Sequence, residues 1–184
     1  METTLIKAKL EDREILVNLL EKYSYEFSQY QKNDVNKLGL YGYQYLDCYW
    51  WEDENRWAYF IEVDGKLAGF IMINDYPEVE DRKTDFVVSE FFVMYKYRRM
   101  GVGRKALFMA LDLHRGTWQL KRHPKNKDSV HFWNNAINEY TSGNFEMFEA
   151  YPNTEYDDGT LADVFFFDNS ELINSMINEE SQNV

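Results

Sequence analysis

The stretch from Val88 to Leu113, VSEFFVMYKYRRMGVGRKALFMALDL, decides the fold of this chain. It starts inside an apolar run, Phe86 to Met94, whose aromatic and β-branched residues predict a buried strand. It ends in a segment whose apolar residues recur every three or four positions, which predicts a helix from Val102 onwards. A basic loop with two glycines, Tyr97 to Gly103, connects the strand to the helix.

This strand, loop and helix together predict a phosphate site. The first N–H groups of a helix have no intrahelical partner, and the helix dipole adds partial positive charge there. Gly101 and Gly103 let the backbone approach an anion closely. The loop also carries guanidinium groups suited to phosphate, on Arg98, Arg99 and Arg104. The alternative is an ordinary strand-to-helix connection that uses its glycines only to turn.

The loop lacks the third glycine of a dinucleotide fingerprint and the Gly-Lys-Ser/Thr of a Walker loop. Arg98-x-x-Gly101-x-Gly103, placed between this strand and this helix, resembles the pyrophosphate loop of the GNAT superfamily of acetyl-CoA-dependent N-acetyltransferases. The chain is similar to a branch of bacterial predicted acetyltransferases with a Glu-Phe-Phe-Val strand and a later Asn…Phe-Trp helix.

Length and composition favour one domain, residues 1–184, with a core over about 3–167 and a polar C-terminal tail over 168–184. No segment has the about 18 apolar residues of a membrane helix, and Met1 to Leu10 does not read as a signal peptide, so we expect a cytoplasmic protein. The single cysteine, Cys48, excludes an internal disulfide. With three scattered histidines, it also argues against a metal site.

The formal net charge of −12 argues against nucleic acid or an anionic membrane as a partner. The charge is compatible with a cationic amine substrate, and equally with a role in solubility alone. Two basic segments interrupt the acidic chain, Lys96 to Arg104 and Lys121 to Lys127. Brought together, they would suit an anionic cofactor such as coenzyme A.

Hydrophobic periodicity and turn residues predict the order β-α-β-β-β-α-β-α-β-β. The predicted strands are Thr3 to Leu10, Trp57 to Val63, Lys66 to Asn74, Phe86 to Met94, Thr117 to Leu120, Phe145 to Tyr151 and Leu161 to Phe167. Asp64-Gly65 predicts a type I′ hairpin turn. Glu11 or Asp12 should cap the first helix, and Gly116 should follow the second as its C′ residue. Residues 169–184 should form a short helix and a frayed end.

This order is similar to that of the GNAT fold, and the likeness covers residues 3–167. It implies an α+β (α/β three-layer) architecture, the GNAT-like acyl-CoA N-acyltransferase fold. In that fold a central mixed, mostly antiparallel sheet with splayed fourth and fifth strands is flanked by helices.

The resemblance also implies a cofactor site. The pantetheine arm of acetyl-CoA would lie between the splayed strands and pair with the backbone of Phe91, Phe92 and Val93. The pyrophosphate would rest on the loop, formed by Arg98, Arg99, Met100, Gly101, Val102, Gly103 and Arg104. Asn126, followed by Ser129 and Phe132-Trp133, matches an asparagine that meets the cofactor in the family. Asn126 could also cap the helix, and the two roles are compatible.

Attack on a thioester requires a deprotonated amine, and a carboxylate can receive its proton, directly or through water. Glu90 is the candidate base, because it lies in the central strand and its parity points away from Phe91 and Val93, towards a cleft face opposite the core. The alternatives are an ion-paired or solvent-edge glutamate. In the family a tyrosine often protonates the departing thiolate, and here Trp133 falls at that position. Either Trp133 only packs, or a tyrosine from Tyr41 to Tyr49 enters the site.

The segment from Leu40 to Trp51 is dense in aromatic residues and has no clear period. Its rings could hold an amine through cation–π contact, with charge from Asp47, Glu52 and Asp53. They could equally pack on the core and form a lid or a homodimer contact.

The expected function is transfer of an acetyl group from acetyl-CoA to a primary amine, on a small cationic molecule or on a protein. A non-catalytic acyl-CoA-binding sensor or regulatory module is the alternative. A different acyl donor, or a hydroxyl acceptor, is a third.

Overall fold

The computed structural model describes residues 1–50 and 55–172. In these residues the strands are β1 Thr3–Lys7, β2 Arg56–Val63, β3 Lys66–Asn74, β4 Phe86–Val93, β5 Thr117–Arg122, β6 Glu146–Phe148 and β7 Asp163–Asp168. The α-helices are α1 Arg13–Gln31, α2 Val102–Leu113 and α3 Lys127–Tyr140. Within the described ranges, none of these helices is both long and apolar enough to cross a membrane.

The strands form one sheet in the order β1-β2-β3-β4-β5-β7-β6. Only β4 and β5 run parallel to each other, and every other neighbouring pair in the described sheet is antiparallel. The β2–β3 hairpin turns at Asp64 and Gly65, whose φ angles of 48° and 69° are those of a type I′ turn. The predicted element order and the mixed, mostly antiparallel sheet are therefore confirmed.

The parallel pair β4–β5 separates after three residue pairs. Phe86, Val87 and Val88 pair with β5, and the last register position joins Val88 to Leu120. Strand β4 continues to Val93 and β5 to Arg122 without further pairing between the two strands. The predicted splay of the fourth and fifth strands is present, and it leaves one backbone edge of β4 free beyond Val88.

A β-bulge at Ser89 lies where the strands part. Met72 of β3 pairs with Glu90, whereas Ile73 pairs with Val88, so Ser89 is the extra residue. The Ser89 hydroxyl donates to the carbonyl of Met72 over 3.1 Å. Beyond the bulge, successive side chains of β4 point to opposite faces of the sheet.

Helices cover both faces of the sheet and make three layers. On one face α1 packs Leu16, Leu19 and Leu20 against a buried cluster that includes Phe70 and Phe92. On the other face α2 and α3 pack against a second cluster. The alternation of side chains in the strand suggested that Glu90 points to a face opposite a single core. Each face of the sheet has its own core instead.

Several element ends differ from the prediction, and two of them have a visible cause. Strand β1 stops at Lys7, since Leu10–Asp12 form a 3₁₀ turn in which the Asp12 carboxylate accepts the Lys9 N–H. Helix α2 ends at Leu113, and His114 is already extended, so Gly116 is not a C′ residue. Gly116 is required for another reason, because a Cβ there would lie 2.7 Å from Oδ2 of Asp85.

Asn169, predicted as the start of a polar tail, is fully buried. Its Oδ1 accepts hydrogen bonds from the Gly116 N–H and the Trp118 indole. Its Nδ2 donates to the carbonyls of Leu111 and His114 and to the Tyr140 hydroxyl. Asn169 thus joins the end of β7 to α2, β5 and α3. The rest of the predicted helix, from residue 173 onwards, lies outside the described residues.

We expect Asn169→Ala to lower the free energy of unfolding by about 2–4 kcal/mol, because it leaves buried donors and acceptors of Asn169's neighbours unpaired. Denaturant titration at neutral pH measures the change. Ser170→Ala is the matched control, since the Ser170 side chain is exposed. Equal stabilities of the two variants would show that Asn169 carries no structural role.

Candidate active site

A cavity of about 1270 Å³ opens where β4 and β5 separate. Helix α1 borders it on one face of the sheet, and the N-termini of α2 and α3 border it on the other. Nearly all the predicted site residues line it, namely Glu90, Phe91, Phe92, Val93, Arg98, Arg99, Gly101, Gly103, Arg104, Asn126, Ser129 and Trp133. The side chains of Met100 and Val102 lie outside the lining, since Met100 is 52% exposed and Val102 is packed in the core.

The glycine loop presents free amide groups to this cavity. Gly101 is the N-cap of α2 with φ 78°, and Arg99 also has a left-handed φ of 59°. Among described residues, none accepts a hydrogen bond from the backbone N–H groups of residues 99–104, and the first amide that is bonded belongs to Lys105. Free amides at a helix N-terminus, with the helix dipole behind them, form an anion site.

A glycine is needed at position 103 because another side chain lies close to it, and not because the backbone angle is unusual. A Cβ at Gly103 would lie 3.2 Å from the ring of Phe132 on α3. The Phe132 ring in turn stacks on Phe91 of β4, with ring centroids 5.3 Å apart. The glycine therefore lets the first turn of α2 lie against the aromatic side of the gap.

Arg98 does not point a free guanidinium into the cavity. Its Nε donates to the Val93 carbonyl over 2.7 Å, and its two terminal nitrogens bind both oxygens of Glu26 on α1 at 2.7 Å. The guanidinium also lies over the ring of Tyr95, 4.0 Å from its centroid. Arg98 thus fastens the loop to α1, a role that the sequence pattern did not indicate.

The other two loop arginines reach α3. The Arg99 guanidinium lies 3.7 Å from Asp128, and both side chains are largely exposed. Arg104 is hydrogen-bonded to Glu139. Exposed pairs of this kind contribute little to stability, so a bound anion could compete for either arginine.

Asn126 caps α3, as one of its two predicted roles requires. Its Oδ1 accepts the Ser129 N–H over 3.2 Å. Its Nδ2 donates to no other described residue, and Asn126 lines the cavity. One side chain can therefore hold the helix start and still offer a donor to a ligand.

Glu90 is half-buried on the α1 face of the gap, and no described cation lies within ion-pair distance of it. Burial raises the pKa of its carboxyl to about 7. The hydroxyls of Tyr23 and Tyr43 and the charge of Lys121 act in the opposite direction, because they stabilise the carboxylate. A carboxyl with a pKa near neutrality can both accept and release a proton at physiological pH.

Tyr23 and Tyr43 keep their protons beside Glu90. Burial, followed by the negative charge of Glu90, raises the pKa of both phenols. Both phenols therefore stay protonated at neutral pH, where the carboxyl of Glu90 ionises.

The aromatic segment divides between the cavity and the core. Tyr41, Tyr43 and Tyr45 line the cavity. Tyr49 is buried, and Trp50 packs against the α1-side cluster. Asp47 pairs with Arg13 at 2.7 Å and is not among the described lining residues. Trp51, Glu52 and Asp53 lie outside the described residues.

Trp133 is a packing residue in α3, only 7% exposed, with its ring 5.4 Å from that of Phe91. Its indole N–H donates to no other described residue, and an indole is not a practical acid.

Several lining residues were not identified from sequence. Phe27 and Tyr30 belong to the apolar stripe of α1, which predicted only packing, and their rings lie 5.9 Å and 5.5 Å from the buried ring of His123. Tyr156, in a turn without any period, lies 4.5 Å from His123. Within the described ranges, no group of His, Cys, Asp or Glu side chains could hold a metal ion.

The raised pKa of Glu90 predicts a pH-dependent stability. Between the ordinary value of 4.5 and about 7, the folded protein binds more protons at this site than the unfolded chain does. The free energy of unfolding contributed by Glu90 therefore falls as pH rises through that window. Glu90→Gln lacks this loss, so its stability relative to wild type should rise by about 2 kcal/mol from pH ~5 to pH ~8.

Thermal or urea unfolding at the two pH values checks this, with Glu149→Gln, an exposed carboxyl outside the cavity lining, as control. A constant difference between Glu90→Gln and wild type would place the pKa of Glu90 near its ordinary value.

Comparisons with known proteins agree with this geometry. The sequence model described as "Acetyltransferase (GNAT) family" matches residues 17–136. No curated protein matches the chain. Spermidine N-acetyltransferase from Vibrio cholerae, in complex with CoA and spermine, superposes with a TM-score of 0.61 at 16% identity, covering 92% of this chain and 96% of that one.

Two further solved structures share the fold. Diaminobutyrate acetyltransferase from Paenibacillus lautus, bound to its substrate diaminobutyric acid and coenzyme A, has a TM-score of 0.60 at 18% identity, covering 92% of this chain and 96% of that one. The ribosomal-protein-S18-alanine N-acetyltransferase from Escherichia coli has a TM-score of 0.57 at 14% identity, covering 95% and 98%. The chain belongs to the acetyltransferase (GNAT) family and is an N-acetyltransferase.

Proposed function

We propose that the protein transfers the acetyl group of acetyl-CoA to a primary amine, and that residues 1–184 form one domain for this purpose. One observation carries the proposal: a single cavity joins an anion site at the start of α2 to the carboxyl of Glu90, past the unpaired edge of β4. The family is consistent with it, and so are the CoA complexes of the two similar structures from V. cholerae and P. lautus.

The chain's own residues fit acetyl-CoA. The free amides of residues 99–104 suit its diphosphate, and Nδ2 of Asn126 and the Ser129 hydroxyl can contact the adjoining part of the molecule. Backbone groups of Phe91, on the open edge of β4, can pair with its amide-containing arm, whereas the Phe92 carbonyl faces β3. When bound, acetyl-CoA supplies an acetyl group activated as a thioester.

On the other side of the gap, Glu90 prepares the acceptor. An alkyl amine has a pKa of about 10.4 and is almost fully protonated at neutral pH, so it must lose a proton before its lone pair can attack. With its pKa raised to about 7, the Glu90 carboxylate is present at neutral pH and basic enough to take that proton, directly or through a water. Tyr23 and Tyr43 lie beside the carboxylate and cannot compete as bases, because their raised pKa values keep them protonated.

Gly103→Asp tests the anion site against an isosteric control. Gly103→Asp and Gly103→Asn place side chains of equal size at the same contact with Phe132, and differ only in charge. We expect the aspartate variant to bind acetyl-CoA at least about tenfold more weakly than the asparagine variant, because its carboxylate occupies the amides and repels the diphosphate. Calorimetry measures the affinities and circular dichroism verifies the folds. Equal affinities would remove this loop from the cofactor site.

Glu90→Gln tests the base. In wild type, free-thiol release with acetyl-CoA and an amine should fall as pH drops through about 7, because Glu90 becomes protonated. Above that pH the variant should be about 100-fold slower, and it should lose that limb of the pH–rate profile.

Acetyl-CoA affinity serves as the control for this variant and should not change. An unaltered profile would show that Glu90 is not the base. Tight acetyl-CoA binding by wild type without thiol release for any amine would instead favour the non-catalytic acyl-CoA-binding module.

A further inference from the structure

The cavity has an aromatic wall on its α1 side. We use that name for five part-exposed lining residues, Tyr23, Phe27, Tyr30, Tyr43 and Tyr156. Phe27 links three of them, with ring centroids 5.7 Å from Tyr23, 5.9 Å from Tyr30 and 5.9 Å from Tyr156. His123 lies behind this wall, and burial lowers its pKa, so it adds no positive charge at neutral pH.

One ammonium group already lies against this wall. Lys121 Nζ is 5.1 Å from the ring centroid of Tyr156 and 2.8 Å from a carboxylate oxygen of Glu78. The site thus stabilises a cation with a ring face and a carboxylate together, and the Lys121–Glu78 pair is electrically neutral.

The remaining charges of the cavity are unbalanced. Each lining lysine or arginine has a carboxylate partner, in the pairs Arg98–Glu26, Arg99–Asp128, Arg104–Glu139, Lys121–Glu78 and Arg122–Asp163. Four lining carboxyls have no cation within ion-pair distance among the described residues, namely Asp34, Glu90, Glu155 and Asp157. Glu155 and Asp157 flank Tyr156 of the aromatic wall in sequence. The acceptor side of the cavity therefore offers ring faces and unmatched negative charge together.

We propose that the acceptor is a small aliphatic amine with at least two positive charges. One amino group would lie at Glu90 and lose its proton there, while a second ammonium group rests on the aromatic wall at Tyr30 and Tyr156, beside Glu155 and Asp157. This inference rests on the proposed acetyl transfer and adds the class of acceptor. A neutral or singly charged amine leaves the carboxyls at Tyr156 unmatched, and it gains no cation–π contact on the wall.

A panel of acceptors of equal chain length tests the class. Diaminobutane, butylamine and aminobutanol differ in whether the far end carries a charge, a methyl group or a hydroxyl. We expect kcat/KM from thiol release to be at least about tenfold higher for diaminobutane, with an advantage that shrinks as salt is added. Equal values for diaminobutane and butylamine would overturn the proposal. Acetylation of a lysine-containing peptide that has a single amine, as efficient as that of the diamine, would overturn it too.

Variants locate the second ammonium group. The double variant Glu155→Gln, Asp157→Asn should raise KM for diaminobutane about five- to tenfold and leave KM for butylamine unchanged. Glu149→Gln, an exposed carboxyl outside the lining, should change neither value. Equal losses for both amines would mean a general structural effect and would refute the assignment.

The two proposals fail in different ways. If wild type binds acetyl-CoA by calorimetry and no amine of the panel releases thiol, acetyl transfer itself is wrong. If thiol is released equally well with all three amines, acetyl transfer stands and only the dicationic acceptor is wrong.

Discussion

The parting of β4 and β5 after Val88 is the constraint on which the rest of this structure depends. A parallel pair that stops after three residues leaves backbone donors and acceptors exposed on an inner edge, and such groups must find partners. The free edge of β4 is the reason why a ligand with amide groups is suited to the gap, whereas a fully zipped sheet would have no cavity at all.

Packing on both sides holds the two strands apart. On one face the C-terminal half of α1 spans the gap. Glu26 accepts two hydrogen bonds from Arg98 just beyond β4. Phe27 and Tyr30 contact His123 just beyond β5. On the other face Phe91 of β4 stacks on Phe132 of α3. The bidentate Arg98–Glu26 pair is part-buried, so removing either partner would leave the other unpaired. The opening is therefore maintained by side chains that also line it.

Separating the strands also separates charges. The anion site lies at the start of α2, where free amides and Arg99 face the cavity. Glu90 lies on the α1 face, where burial raises the pKa of its carboxyl to about 7. A polyanionic donor and a cationic acceptor can thus reach one gap from opposite faces of the sheet without sharing a surface. The net negative charge of the chain is, on its own, equally compatible with solubility. At the aromatic wall this negative charge lies beside ring faces, where it suits a cation.

The sequence predicted those features that depend on neighbours in the chain. The apolar run at Phe86 to Met94, the glycine loop and the Asn126 cap follow from local patterns, and the element order follows from their sum. Arg98 and Asn169 show the limit. The partner of Arg98 is Glu26 on α1, and Asn169 contacts three separate elements, so neither role leaves a periodic or short-range signal. Tyr156 joins the cavity only because its turn folds back over β5 and α1.

The direction in which the Glu90 side chain points depends on one such long-range contact. Side chains of a strand alternate, so a single extra residue sends every later side chain to the opposite face. That residue is Ser89, and its hydroxyl is held between the Met72 carbonyl and the Tyr49 hydroxyl, at 3.1 Å and 2.8 Å. Tyr49 ends the segment that brings Tyr43 to Glu90. The same contact that fixes the bulge therefore anchors the segment that carries Tyr43, and the Glu90 carboxyl and its surroundings are positioned as one unit.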